Sequence, residues 1–424
     1  MHVQVALWDG GGTVPAEVGV VRRLVSRGHS VSVLGDPTLE PEVRAAGAAF
    51  QPWRQAPHRR SAADRDLVDD TACRTPLQVL DRLLTRVVTG PAAAYAAEVR
   101  AALAARPADV LVASGVLMGA LVAAEASGTP SVALCPNAYN RPTPDLPPFG
   151  SGLPPARGPL GRARDRSLHP LVRRAWDRGL PDLDAARAGL GLAPLRDVWE
   201  QWDRAARVLV LTSAAFDLPA RLPPNVRHVG PVLDDPVWAA PVEPPPGDGP
   251  LVVVGFSSTY QAQEDVLRRV GVALGRLPVR AVVTTGPMVD PACVPRTGGV
   301  VVVRSAAHAP LFAAADVVVT HAGHGTLLKA LAAGVPALCL PMGRDQRDNV
   351  VRARRHGAVL GLRPGASPDR IAAAVRRLLA DPRYRRGARS LGARIRAEAA
   401  GSPLVDEIER SAGTGTSDDR RTPA

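Results

Sequence analysis

Apolar runs of three to six residues recur along this chain with helix-patterned stretches between them; the alternation stops at one proline-rich segment and then resumes. Before the break, strand-like runs fall at residues 3–7, 30–34, 109–113, 131–134 and 207–211, with helical stretches at 17–27, 76–106 (interrupted at Pro91) and 116–126. After it, runs at 251–255, 279–284, 300–303, 317–320, 337–340 and 359–361 alternate with helical stretches, one at 264–275 and the last two at 368–399 and 403–410. Runs this short and this apolar suit strands buried on both faces, and strands separated by helices pair in parallel. The pattern predicts an α/β fold. The break itself, Pro-Val-Glu-Pro-Pro-Pro-Gly-Asp-Gly-Pro from Pro241 to Pro250, reads as a stiff linker. A chain of 424 residues exceeds one ordinary core. The expected organisation is two doubly wound, Rossmann-like units facing across a cleft: 1–230, a linker at 231–250, then 251–400, with 401–424 holding a last helix and a small, polar, disordered tail from Gly413.

Composition narrows the class. Aromatics are 4% of the chain, so the cores must be built from Ala, Val and Leu. The net charge is +12, and every basic residue except Lys329 is arginine. Many lie in pairs on helix-patterned stretches, such as Arg22-Arg23, Arg173-Arg174, Arg268-Arg269 and Arg376-Arg377. Without a basic arm or interleaved aromatics they do not mark a nucleic-acid surface; solvated faces are expected, with membrane contact at most peripheral. Cys73, Cys135, Cys293 and Cys339 are far apart without metal spacing and read as reduced, mostly buried thiols. The N-terminus starts as a strand with no leader pattern, and the most apolar helical stretch, 116–126, is far short of a membrane span. A cytoplasmic monomer or homodimer is the expectation.

Chemistry concentrates at strand ends in the second half. His321-Ala322-Gly323-His324-Gly325-Thr326 follows the run 317–320 and opens a helix. Glycines admit close approach of a ligand, and the free N–H groups of a first helical turn form an anion site. Phe256-Ser257-Ser258-Thr259 follows 251–255; its hydroxyls suit a phosphate oxygen, or simply a helix cap. Thr284-Thr285-Gly286-Pro287 ends another run and alone is no more than a turn. Asp345-Gln346 follows the run 337–340; a carboxylate beside an amide suits adjacent sugar hydroxyls, or caps the next helix. A phosphate cradle followed by such a pair fits a nucleotide sugar.

In this order and spacing, Phe256 to Gln261, Thr284-Thr285-Gly286, His308-Ala309, His321 to Thr326, Gly334-Val335-Pro336, Pro341-Met342 and Asp345-Gln346 with Asn349 resemble the family-1 glycosyltransferases of the GT-B fold, especially bacterial enzymes that decorate macrolides and other secondary metabolites. The resemblance implies a donor site built from Ser257, Ser258, Thr259, Thr285, Gly286, His308, His321, Gly323, His324, Gly325, Thr326, Asp345 and Gln346. In it His321 and the helix start hold the diphosphate, and Asp345 with Gln346 holds the sugar. It also implies a last helix that returns to brace the first unit. Two positions depart from the family pattern: Ser305 stands where an aromatic stacks the base, and Lys329 where a glutamate grips ribose. In the first half, Gly12 of the loop Asp9-Gly10-Gly11-Gly12-Thr13-Val14-Pro15 occupies the place of the general base.

Asp9 is the first substitute for that base and His58 the second. The loop lacks G-x-G-x-x-G spacing, which argues against a dinucleotide oxidoreductase. Asp64-Arg65-Asp66 and Asp182-Leu183-Asp184 spell metal-binding pairs but lie off the strand ends and are expected to be solvated, so no metal and no cofactor beyond the nucleotide-sugar co-substrate are expected. Acceptor contacts are expected from Trp53, Met118, Asn137, Tyr139 and Phe149, around the loops leaving the first unit's strands. The expected reaction is inverting transfer of a hexose or deoxyhexose to a small, largely apolar acceptor. The alternatives are an auxiliary binding protein that has lost its base, or a nucleotide-sugar 2-epimerase on the same fold.

Overall fold

The computed structural model describes residues 1–61 and 63–413. The first sheet contains β1 (His2–Ala6), β2 (Ser30–Gly35), β3 (Ala49–Pro52), β4 (Val110–Ser114), β5 (Ser131–Cys135), β6 (Arg207–Val210) and β7 (Val226–His228) in the order β3-β2-β1-β4-β5-β6-β7. The second contains β8 (Leu251–Gly255), β9 (Arg280–Thr284), β10 (Val300–Val303), β11 (Val317–Thr320), β12 (Ala337–Cys339) and β13 (Val359–Gly361) in the order β10-β9-β8-β11-β12-β13. All pairings are parallel, with Val254 beside Val319 at the centre of the second sheet. Central strands are buried end to end, which explains their unbroken valine runs. In each sheet the strand order reverses once, between β1 and β4 and between β8 and β11. Open α/β sheets bind ligands at such reversals. The glycine loop leaves β1, the Ser257 loop leaves β8 and the His321 loop leaves β11, so the conspicuous motifs occupy both reversal points.

The chain's end packs on its beginning. Helix Leu404–Gly413 places Leu404 and Ile408 in the same apolar cluster as Val3, Val5 and Val18 of the first sheet and its covering helix. Ser402 Oγ reaches the Val229 carbonyl just before it. Residues 231–250 form neither helix nor strand, yet Asp234 pairs with Arg22 and Arg23, and Asp235 with Lys329 at 2.7 Å. The tail expected beyond Gly413 lies outside the described residues.

Local departures from the sequence reading have local causes. The stretch 76–106 is three pieces, Pro76–Leu83, a wide turn Leu84–Val88 and Ala92–Ala105, broken at Gly90-Pro91. The late helices expected over 368–399 are two, dividing at Pro382, which has no N–H to continue the first, while Asp381 caps the second. Strands β3 and β7 are short sheet edges without an apolar run. Helix Gly158–Trp176 was not anticipated, since it buries only Asp165 and carries Pro170 inside, leaving no apolar period to read.

One buried group in this packing has a measurable signature. Glu17 lies in helix Val14–Ser26 with 1% of its surface exposed, and neither carboxylate oxygen has a hydrogen-bond partner. Burial pushes its carboxyl up to about 8; the Ser114 hydroxyl pulls the other way without reaching hydrogen-bond geometry. Between the ordinary 4.5 and about 8 the unfolded chain sheds this proton while the fold keeps it, so this group's contribution to stability falls as pH rises through that window. Glu17→Gln removes the titration but buries amide donors. In thermal or urea melts the variant should match or fall slightly below wild type at pH 5, and exceed it by about 2–3 kcal/mol at pH 8. A stability difference that does not change with pH would show that Glu17 is ionised in the fold.

Candidate active site

Helix His324–Ala332 begins without any side-chain cap; its N-cap is Gly323. The first N–H groups therefore point into the cleft unpaired by side chains, with the positive end of the helix dipole behind them. The turn feeding it is strained: Ala322 has φ 68°. Of the four non-glycine residues with positive φ among those described, Ala262, Ala322 and Arg344 lie in loops of this cleft. Gly323 has no room for a side chain, because a Cβ there would lie 2.4 Å from His321 Nε2. The imidazole is thus folded over the helix start. His321 is buried against Phe256 (ring centroids 5.9 Å apart), and burial holds it down at about 4, a hydrogen bond with Gly255 opposing; it is a neutral ring at pH 7.

The other predicted donor residues divide. Ser257 and Thr259 are buried and bond each other (Oγ to Oγ1, 3.0 Å), while Gln263 Nε2 ties down both their carbonyls. They shape the loop rather than cap a helix, which starts only at Glu264. Ser258 is half-exposed. Thr285 turns inward, its hydroxyl on the Gly286 and Val289 carbonyls, and so cannot offer that hydroxyl to a ligand. Gly286 (φ 84°) lets its turn approach the Ser257 carbonyl. His308 stacks on Phe312 and lies over Gly255 beside Thr326; burial first, then Lys329, hold it down at about 4. His324 corrects the expectation for its side chain. Its Nε2 bonds Thr212 Oγ1, in the loop after β6, at 2.8 Å, so it ties the two units together and leaves only its backbone for a ligand. Gly325 faces the Gly12 carbonyl across the cleft.

Asp345 and Gln346 stand at the start of helix Gln346–Arg354. Gln346 accepts from Met342 and Gly343 N–H at 2.6 and 3.0 Å and donates one Nε2–H to Gln261 at 2.9 Å. Asp345 receives Asn349 Nδ2 on one oxygen, and Asn349 Oδ1 is buried without a partner. Lys329 does not offer a free charge: Asp235 neutralises it and also accepts the Ala309 N–H.

Facing this site, the glycine loop is drawn tight. Asp9 accepts from Thr38 Oγ1 (2.8 Å), Arg59 Nη1 (3.0 Å) and its own loop's Gly11 N–H (3.0 Å). With both oxygens committed to these donors, Asp9 is not presented to an acceptor hydroxyl, so the first candidate for the base gives way to the second. His58 Nδ1 lies 2.8 Å from the Ala56 carbonyl, which can only accept. That contact puts the ring proton on Nδ1 and leaves the Nε2 lone pair as the basic site. The neighbouring Arg59 reaches from Asp9 to the Met288 sulfur (3.7 Å), so this loop borders the cleft. At Gly12 a Cβ would meet nothing within 4 Å.

The matched relatives extend over the whole molecule. Residues 282–412 match the family model for the C-terminal domain of erythromycin biosynthesis protein CIII-like proteins. The 4'-demethylrebeccamycin synthase of Lentzea aerocolonigenes is 30% identical over 421 residues, covering 96% of this chain and 98% of that protein. The chain belongs to the family-1 glycosyltransferases of the GT-B fold. It is a nucleotide-sugar-dependent glycosyltransferase of natural-product glycosylation. Solved structures agree on the fold: a calicheamicin glycosyltransferase superposes with TM-score 0.72 at 23% identity, over 98% of this chain and 99% of that one. A spinosyn rhamnosyltransferase complexed with thymidine diphosphate superposes with TM-score 0.67 at 18% identity, over 96% and 100%.

On the acceptor side this glycosyltransferase departs from the sequence reading. Trp53 and Met118 are core residues, 2% and 1% exposed. Trp53 donates Nε1–H to the Leu7 carbonyl and sits edge-on to Tyr95, so it cannot meet an acceptor. Asn137 is half-buried beside Cys135. Tyr139 and Phe149 do share a cleft, with Leu146, Pro148, His169 and Val172. The Tyr139 hydroxyl is buried there without a partner.

The same region closes on the donor side through contacts the sequence did not reveal. Asp348 accepts Gly150 and Gly152 N–H at 2.6 and 2.7 Å. Arg344, just before Asp345, holds Asp66 at 2.6 Å and Asp70 at 2.8 Å from the opposite unit. Arg352 meets Asp217 at 2.8 Å with both side chains almost fully buried. Burial alone would raise Asp217, but His228 and Arg352 hold its carboxyl well below the usual range. Asp66, expected to be solvated, is thus an interdomain residue. Among the described residues no group of three or more His, Cys, Asp or Glu is placed to hold a metal, and no helix is long and apolar enough to cross a membrane.

Proposed function

We propose that this glycosyltransferase moves a hexose or deoxyhexose, with inversion, from a nucleoside diphosphate to a small, largely apolar acceptor. The observation that carries the donor half is the uncapped start of helix His324–Ala332 with the neutral His321 ring folded over Gly323. A diphosphate there would receive helix N–H groups and an imidazole N–H together, which supplies the charge stabilisation that the departing nucleotide needs. Asp345 would take sugar hydroxyls. Gln346 would join it through its second Nε2–H, the other being held by Gln261. The thymidine diphosphate held by the spinosyn enzyme points to the same class of leaving group. Tyr139, Leu146, Pro148, Phe149 and Val172, which share the facing cleft with Arg141 and His169, support a largely apolar acceptor. His58 Nε2 is the proposed base, and the segment 231–250 the proposed hinge between acceptor and donor units.

A thermal-shift titration with thymidine and uridine diphosphates tests the donor half. At 100 times its Kd a ligand stabilises the fold by about 2.7 kcal/mol. His321→Ala is expected to weaken that binding by about tenfold, in keeping with loss of one charge-assisted hydrogen bond. Equal shifts in variant and wild type would remove His321 from the diphosphate site.

A further inference from the structure

Helix Gly158–Trp176 has two unlike sides. Inward, Asp165 is buried beside Arg164, Trp176 packs on Trp199 (centroids 4.6 Å), and His169 with Val172 lines the proposed acceptor cleft. Outward, Leu160 is 87% and Leu171 63% exposed. They are 11 residues apart, about three helical turns, and so lie along one stripe. Leu77, 58% exposed, sits on helix Pro76–Leu83, which lies against the same helix. Phe149, at the cleft, is also exposed. Of the seven large apolar side chains exposed among the described residues, two lie on this helix's outer stripe, one on the helix against it and one at the cleft it borders; the others are Met1 and the linker's Val237 and Trp238. Such a cluster marks an interaction surface.

The surrounding charge selects the partner. Residues 157–176 contain six arginines and a single acid, the buried Asp165. Arg157 and Arg174 bracket the leucine stripe three residues beyond each end; both are exposed and neither forms an ion pair among the described residues. A second copy would set like charges against each other across the contact. A bilayer with anionic headgroups satisfies both features, taking leucines at the acyl boundary and guanidinium groups on phosphates. We infer that helices Gly158–Trp176 and Pro76–Leu83 form a docking surface for an anionic lipid bilayer, beside the acceptor cleft. Docking brings that cleft against the phase in which an apolar acceptor concentrates, a consequence that rests on the acceptor reading above.

Flotation of the whole protein with phosphatidylcholine vesicles, with and without phosphatidylglycerol, tests the docking. Binding is expected only with phosphatidylglycerol. It should fall at least tenfold in Leu160→Ser/Leu171→Ser, which keeps the charge, and in Arg157→Glu/Arg174→Glu. The equally charge-changing Arg370→Glu/Arg376→Glu, on exposed positions of helix Pro368–Ala380, should stay within about twofold of wild type. No binding to anionic vesicles overturns the inference, as does binding indifferent to the leucines, which would be mere adsorption of a basic protein. Self-association abolished by the leucine variant would assign the surface to a second copy instead. Thymidine diphosphate binding, measured in the same variants, should not move; its absence from all of them would fault the donor site and not the docking surface.

Discussion

His58→Ala is expected to lower kcat for transfer by about 10²–10⁴-fold while nucleoside diphosphate affinity is unchanged. The magnitude is that of removing a positioned base, and the selectivity follows from where the residue stands. His58 belongs to the first unit and is held by its own loop through the Ala56 carbonyl, whereas His321 belongs to the second. Its neutral tautomer is set by a backbone carbonyl that cannot reverse its role, so Nε2 is available whenever the ring is unprotonated. Asp9→Asn is the contrasting variant. It weakens the grip on Arg59 and alters a loop that Asp9 holds through Gly11, so stability and turnover should decline together. Undiminished turnover in His58→Ala would return the search to the Asp9 loop or to a substrate group.

The second half of the chain was far more legible than the first, for physical reasons. Strands β8 and β11 are valine runs because they are buried on both faces, and their ends meet at the sheet's reversal point, so the motifs leaving them could be assigned to one site from order alone. Acceptor-side roles depended on partners distant in sequence. Trp53 reads as a loop aromatic until its indole N–H is seen on Leu7, and Asp9 reads as a free carboxylate until Arg59 folds onto it. His324 looks like part of a phosphate motif, yet its ring is claimed by Thr212, 112 residues away. Lys329 looks like a change of charge at the ribose position, and Asp235 cancels it from the linker. Residue type and spacing expose periodic burial and loop position; they do not expose which of many arginines meets which aspartate across a closed cleft.

Gly11→Ala is the variant expected to separate closure from binding, with kcat/KM falling about 10²–10³-fold and nucleoside diphosphate affinity staying within about threefold. Gly11 has φ +72°, and a Cβ on it would lie 2.1 Å from Thr259 Cγ2 in the facing unit. An alanine there is strained in itself by about 1 kcal/mol and also forces the two reversal-point loops apart. A shift of about 1 Å at the reacting centre is enough for the loss expected. The donor site survives, because His321, Gly323 and the uncapped N–H groups behind them all belong to the second unit. Interdomain ties at Arg352–Asp217, Arg344–Asp66 and His324–Thr212 resist opening. The clash is therefore concentrated at Thr259 rather than relieved by free rotation of the units. Thr259→Ser deletes the methyl that the added Cβ would strike and keeps the hydroxyl that bonds Ser257. In the Gly11→Ala background it should restore at least tenfold of the lost activity, while alone it should leave turnover near wild type. Additive losses in that double-mutant cycle would mean the two loops do not meet in the catalytic state. Full activity of Gly11→Ala alone would mean that closure at this point is not needed for transfer.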